Sequence, residues 1–544
     1  MSARHGAVIQ SVLAERLRGV ADDIGHLLIR GAFSSNIKER RDCSTAVFDA
    51  QGRLLAQADH MPIHIGSLLW GLRALMARTP AAEMTPGDAF VMNDPYVAGG
   101  THLPDISVIT PVFVGGAPRY FVGNIAHHAD VGGPTAGSVS GRSPSIFHEG
   151  VRIPPLRIAR GGTLDRDVVD LIALNTREPT ERALDLATQV GANAKGVDLL
   201  ARIVADMGAD TVERGAEALI EGTRKRLAEA IKALPDGTWT ATRYLDDDGA
   251  GDAPVALVAT AIIDGDRLTL DFSGSGEEAK GAVNLSASSL EATAAYCVKA
   301  LIDPAVLSNQ GLMDAFHVVA PEGSVVNPSP PAAVAARAVT SNRLAGAIFD
   351  ALGPALPPER RMAASNDSTT LIVLSGSDGA RRQSFVYPES IGGGAGAFAD
   401  RDGMSGVHVH TVNSTNLPLE ILEQSYPLRA TAYGLCEGSG GDGRQRGGLG
   451  IVREVEALRD DTHVTLRSDG HKFPAPGADG GGPGSVTKVL HIRTDGQAME
   501  LPSKTTLTLK RGERIRVETL GGGGFGRPEE RTAEARARDC EDGL

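Results

Sequence analysis

Three histidines and three aspartates fall within the 38 residues from Asn93 to Asp130. They sit in two glycine-containing motifs, Asn93-Asp94-Pro95-Tyr96 through Gly99-Gly100-Thr101-His102-Leu103-Pro104-Asp105, and Asn124-Ile125-Ala126-His127-His128-Ala129-Asp130. Between them Ile106 to Phe113 reads as a buried strand. Pro104 lies inside the His102–Asp105 spacing, which argues against a helix interior and for a turn entering that strand. Gly115-Gly116 then offers a turn, and Tyr120 to Ile125 a returning strand, so the hairpin brings His127 back to the level of His102. Two imidazoles and a carboxylate suit Zn, Mn or Fe(II) with positions left open for water or substrate. Such an ion generates hydroxide from water near neutral pH or polarises a carbonyl.

Other candidates compete with plainer readings. Asp42 follows two arginines and precedes a strand; a surface ion pair is weighed slightly above ligation. His148-Glu149 reads as an acid/base pair or as support for a metal ligand, and equally as a loop pair making local hydrogen bonds. His60 and His64 flank Pro62 ahead of a helix, which favours capping or core packing. His408 and His410 alternate on an expected strand and are read as structural.

The elements that position these residues follow from periodicity. An amphipathic helix is expected over 7–30, a hairpin over 40–57, a helix over 65–78, and a strand at 88–92. A long Gly/Ser/Pro-rich loop spans 132–160, and loops of that length are commonly functional. Residues 165–234 read as mainly helical up to Pro235-Asp236-Gly237, the clearest boundary signal. A three-strand meander follows over 238–272, then helices near 290–302 and 340–352. Strands and glycine turns run from Pro427 to Gly526, with a polar tail after it. The expected class is α+β: a large multi-domain chain with mixed sheets and a β-rich C-terminal part. The expected division is 1–235 with the metal site, 236–430, 431–526, and a tail 527–544.

Composition excludes several functions. The 544 residues are 42% hydrophobic and carry a net charge of −13, so the chain is an ordinary folded protein with no basic face for nucleic acid. The four cysteines, Cys43, Cys297, Cys436 and Cys540, are scattered, which fits a reducing cytoplasm. No apolar signal core or membrane-length stretch is present, so no membrane partner is expected. Glycine makes up 66 of 544 residues, about 12% against a usual level of roughly 7%, which implies many close backbone approaches. The glycine runs match neither a phosphate loop nor a dinucleotide fingerprint, and no strand–turn–helix nucleophile elbow occurs. An ATP step, if one exists, belongs elsewhere.

The two His-bearing motifs resemble the hallmark of the hydantoinase B family. Further matches are Phe147-His148-Glu149-Gly150, Asn175-Thr176-Arg177, Asn284-Leu285-Ser286, Ser439 to Gly443 with Arg446-Gly447-Gly448, and Gly521 to Pro528. The resemblance covers essentially the whole chain. That family includes B subunits of ATP-dependent N-methylhydantoinases, the C-terminal part of 5-oxoprolinase, and alpha subunits of acetone carboxylases. The resemblance implies a hetero-oligomer in which an A-type, ATP-binding subunit phosphorylates a small cyclic amide such as a hydantoin, 5-oxoproline or lactam. This chain would then open the ring at a divalent metal. It assigns the metal ligands to His102, Asp105 and His127, selecting His127 over His128, with Asp42 as a further contributor. His148 and Glu149 are expected to manage protons, with His128 and Asp130 as further catalytic residues. The alternative is the alpha subunit of an ATP-dependent ketone carboxylase. Family members commonly continue beyond the last glycine cluster with a longer segment than the tail here, which bears on that segment's contacts and not on the metal site.

Overall fold

The computed structural model describes residues 3–58, 60–377 and 384–542; Gly543 and Leu544 of the expected tail lie outside them. The chain folds as α+β, with helices packed on and between four sheets.

The first sheet carries the motif region. Its strands are β1 (Cys43–Asp49), β2 (Leu54–Gln57), β3 (Ala89–Met92), β4 (Asp105–Val114), β5 (Ala117–His127), β6 (Leu156–Arg160) and β7 (Thr163–Leu164), in the order β2-β1-β5-β4-β3-β6-β7. Every residue of β1 is buried, because both faces of the sheet are covered. Val47, Val112 and Val122 point to one face, where helices Ala3–Gly31, Pro179–Met207 and Ala209–Lys232 pack Leu17, Ile24, Leu200 and Val212 against them. Phe48, Ile109 and Phe121 point to the other, against Leu68 and Leu72 of helix His64–Arg78. The period of two thus sorts each strand between two cores.

The second sheet starts at Gly237, the last residue of the Pro-Asp-Gly signal. It comprises Gly237–Leu245, Val255–Asp264, Arg267–Asp271 and Phe316–Val319, the last two paired in parallel. Only one face is covered, and burial along Val255–Asp264 alternates accordingly. Helix Arg337–Leu352 packs on the covered face.

The other two sheets form a sandwich. Thr370–Ser377 and Ser384–Ile391 join Thr462–Arg467 and Lys504–Leu509 in one layer, so this sheet draws strands from both sides of residue 430. Leu428–Leu435, Ile451–Ala457, Arg514–Glu518, Lys488–Ile492 and Ala498–Glu500 make the other. Ile372, Tyr387, Val455, Leu466 and Val517 fill the space between. His408 and His410 do not lie on a regular strand: Val407 makes one isolated bridge with Gly393, and His410 is left-handed at φ 56°. The His410 ring is instead held at Nε2, 2.9 Å from Asp367 Oδ1.

Much of the glycine is concentrated at one end of this sandwich. Backbone from Gly392–Gly396, Gly440–Gly448 and Gly521–Gly524 runs side by side. Gly448 N donates to Ala395 O (2.9 Å), Gly522 N to Gly448 O (2.9 Å) and Gly441 N to Gly522 O (2.8 Å). A Cβ on Gly522 would lie 2.0 Å from Ala395 O, and one on Gly394 1.9 Å from Gly448 O. No side chain fits there.

Candidate metal centre

The ends of three neighbouring interior strands of the first sheet, β1, β5 and β4, lie side by side. Asp105 opens β4 and His127 closes β5, and the two are direct partners in the antiparallel ladder. Asp42 immediately precedes β1, and its carbonyl accepts from His127 N at 2.9 Å. His102 stands in the turn ahead of β4, closed by Asp105 N donating to His102 O at 3.1 Å.

This framework brings His102 Nε2 to 3.1 Å from His127 Nδ1 and 3.2 Å from Asp105 Oδ2, while His127 Nδ1 lies 2.9 Å from Asp105 Oδ1. All three residues are buried. An ion about 2.0–2.2 Å from each donor separates neighbouring donors by roughly 3 Å, so these spacings fit one shared ion. The tautomer agrees. His102 Nδ1 lies 3.2 Å from the carbonyl of Ala335, which only accepts, so Nδ1 carries the hydrogen and Nε2 presents its lone pair inward. Burial drives the His102 ring down to about 3, which keeps it neutral. Burial also works against the Asp105 charge, but the permanent cation Arg337 beside it favours the ionised form and the carboxyl stays well below the usual range. Arg337 Nη2 donates to Asp105 Oδ2 at 2.7 Å, and Thr101 Oγ1 donates to the same oxygen.

The neighbouring candidates are committed elsewhere. His128 points away from its neighbour: Arg182 Nη1 donates to Nδ1 (2.8 Å), so Nε2 carries the hydrogen and donates to Gln189 Oε1 (3.0 Å). Both nitrogens of His128 are thus engaged by side chains outside the His102–Asp105–His127 cluster. Asp130 accepts from Gly132 N, Gly137 N, Arg177 N and Arg177 Nη1 at 2.8–3.1 Å, which ties the start of the long loop to residue 177. His148 is exposed and pairs with Ser145 Oγ at 3.0 Å. Glu149 is buried; its Oε1 accepts from Val334 N (2.7 Å) and Ala335 N (2.8 Å). Glu149 therefore holds the backbone at Ala335, whose carbonyl meets His102 Nδ1. Asp42 lines the same cavity, with Oδ1 3.8 Å from His64 Nε2.

Four residues at this centre escaped the sequence reading. His64 Nε2 lies 3.7 Å from Asp105 Oδ2 while Nδ1 pairs with Ser44 Oγ at 3.2 Å, so its buried ring also stands beside the cluster. Arg40, Arg337 and Arg467 come from a turn, a helix start and the end of a sandwich strand, and all line one cavity of about 30 Å³ with His102 and His127. That is room for one or two water-sized groups. The Arg40-Arg41-Asp42 run is the only local signal that pointed here.

The comparisons agree with this site in family. A hydantoinase B/oxoprolinase family profile matches residues 7–528. An uncharacterized protein of Methanocaldococcus jannaschii is 33% identical, over 96% of this chain and 91% of its own length. The 5-oxoprolinase of Dictyostelium discoideum is 32% identical over 95% of this chain, which spans only 40% of that longer protein. A Pseudomonas protein assigned as the B component of a D-/L-hydantoinase is 31% identical, over 98% of this chain and 92% of its own length. Among solved structures, the ATP-dependent caprolactamase of Pseudomonas jessenii superposes with TM-score 0.90 at 26% identity, covering 99% of this chain and 94% of that one. An acetone carboxylase shares the fold, with TM-score 0.90 at 20% identity over 99% of this chain and 78% of that one. The chain belongs to the hydantoinase B/oxoprolinase family.

Proposed function

We propose that this chain is the ring-opening subunit of an ATP-dependent enzyme acting on a cyclic amide: a hydantoin, 5-oxoproline or lactam. The observation that carries the reading is the convergence of His102 Nε2, Asp105 and His127 Nδ1 within 2.9–3.2 Å of one another in a buried cavity. These three residues would hold a divalent ion, Zn, Mn or Fe, with Asp42 and His64 beside them; the ion would supply Lewis acidity and a nucleophilic water at neutral pH.

The chain's own groups do the rest. Ala335 O holds the His102 ring so that Nε2 faces the site. Arg337 keeps Asp105 ionised and its carboxylate fixed. The surrounding strands exclude bulk water, which strengthens every charge interaction in the cavity. Phosphorylation of the amide oxygen falls to an A-type ATP-binding partner, since this chain carries no phosphate loop, and the working enzyme is then a hetero-oligomer. The hydantoinase component, of matching length, supports that arrangement; the 5-oxoprolinases, more than twice as long, carry this region within one chain. All four cysteines are free thiols and no helix among the described residues is long and apolar enough to cross a membrane; a cytoplasmic location accords with both.

The test is metal content and ATP-dependent turnover of cyclic amides by the chain co-purified with its partner, for wild type and His102→Ala. Full metal and full activity in the variant would overturn the assignment. Bicarbonate-dependent consumption of a ketone in place of amide hydrolysis would move the enzyme to the carboxylase class.

A further inference from the structure

Most of the fully buried arginines have an acidic partner. Arg343 meets Asp469 at 3.0 Å, Arg453 meets Glu389 at 3.1 Å, Arg182 meets Asp185 at 3.6 Å, and Arg337 meets Asp105 at 2.7 Å. Arg40 and Arg467 do not. They are 1% and 3% exposed, and among the described residues neither forms an ion pair within 4.0 Å. Arg467 Nη1 donates to Ala335 O at 3.0 Å; Arg40 donates to Pro388 O and, at 3.4 Å, to Ser414 Oγ. The Nε of each has no partner. A buried cation without a direct ion-pair partner is costly and is seldom retained without a use.

Both arginines line the cavity that His102 and His127 line. Three arginines there, Arg40, Arg337 and Arg467, face two carboxylates, Asp42 and Asp105. A divalent ion would leave the cavity still more positive. Burial and Arg337 push Arg467 down to about 9, against Asp105 and Asp42, which favour its charge. Val412 lines both this narrow cavity and a wider one of about 1020 Å³, and Ser414, the partner of Arg40, lines the wider one.

We propose that Arg40 and Arg467 form an oxyanion-binding subsite that seats an oxygen of the substrate's anionic head group against the metal cluster, with the remainder of the head group and of the molecule in the wider cavity. That the head group comes from the substrate rests on the function proposed above. Its source is either the phosphoryl group of the ATP-activated amide or a carboxylate carried by the ring. Guanidinium forks match both, by paired charge-assisted hydrogen bonds.

The test is calorimetric titration of inorganic phosphate into the full chain with metal removed by chelator, repeated with Arg40→Gln, Arg467→Gln and Arg467→Lys. One phosphate site is expected, weakened at least ~10-fold by each Gln variant and partly restored by Lys. Competition by acetate identifies the carboxylate source; its absence identifies the phosphoryl source. In thermal melts the Gln variants should be as stable as wild type without phosphate, having shed an uncompensated charge, and should lose the rise in Tm that phosphate gives wild type. No phosphate site, or Gln variants that are destabilised yet bind phosphate as wild type does, would overturn the subsite and make the two arginines props. His102→Ala separates the two readings: it should lose metal and keep phosphate, and a variant that kept its metal would sink the metal centre while leaving the subsite standing.

Discussion

His127 and His128 are adjacent in sequence, both buried, and differ in what their ring nitrogens meet. His127 ends β5 with Nδ1 turned toward Asp105 and His102; His128 turns to the opposite side, where Arg182 and Gln189 occupy both its nitrogens. Burial and residue type do not distinguish a reactive histidine from a structural one. What distinguishes them is whether the lone pair meets other acceptors or a donor. Around His127, His102 Nε2 and the Asp105 carboxylate converge on Nδ1, the arrangement on which the proposed metal site rests. Around His128 an arginine already supplies it.

The sharpest way to break this contrast is Asp105→Asn or His127→Ala. Each is expected to abolish stoichiometric metal binding and to lower turnover by more than the ~10–100-fold typical of losing an outer partner; retained metal by elemental analysis would refute it. His128→Ala comes next. It should destabilise the fold by about 1–3 kcal/mol, because it leaves Arg182 and Gln189 with buried unmet groups, yet keep the metal stoichiometry of wild type. Denaturant melts with metal analysis separate the two histidines.

Glu149→Gln should have a smaller effect, and one that depends on pH. Burial raises the Glu149 carboxyl to about 8, against the two N–H groups that favour its charge. Between the ordinary carboxylate range and about 8 the folded chain keeps a proton that the unfolded chain releases. The Glu149 contribution to stability therefore falls as pH rises through that window. Gln keeps an acceptor for Val334 N and Ala335 N but has no such titration. The Tm advantage of the variant over wild type should thus grow between about pH 5 and pH 8, and an advantage that stays flat would rule out this account. His148→Ala stands last, with metal content unchanged and turnover within about twofold of wild type, as expected of an exposed side chain.

How much of this was legible in the sequence follows from distance along the chain. The pairing of Asp105 with His127 needed only a strand, a Gly-Gly turn and a returning strand, all local, and the 3.6-residue and two-residue periods placed most helices and strands nearby. The orientation of His128 was not legible, because Arg182 and Gln189 approach from a helix more than 50 residues later. Arg337 and Arg467 were still less so: each lies more than 200 residues from the motifs, and neither an alanine-rich helix start nor a strand end advertises a buried guanidinium. Glu149 looked like an acid because a His-Glu pair in a glycine loop has that form; only the fold shows its Oε1 bound to two amides. His408 and His410 alternate as strand residues would, but the chain turns left-handed at His410.

The glycine-lined end of the sandwich has a consequence for anyone scanning this chain by random mutagenesis. Any replacement at Gly394, Gly448 or Gly522 puts a Cβ about 2 Å from a backbone oxygen. Such a scan will return two intolerant patches of similar severity: one at the strand ends of the first sheet, and one in the glycine stack. Loss of the second will register as missing protein rather than as inactive protein. Abundance measured alongside activity is therefore what tells the scaffold from the catalyst.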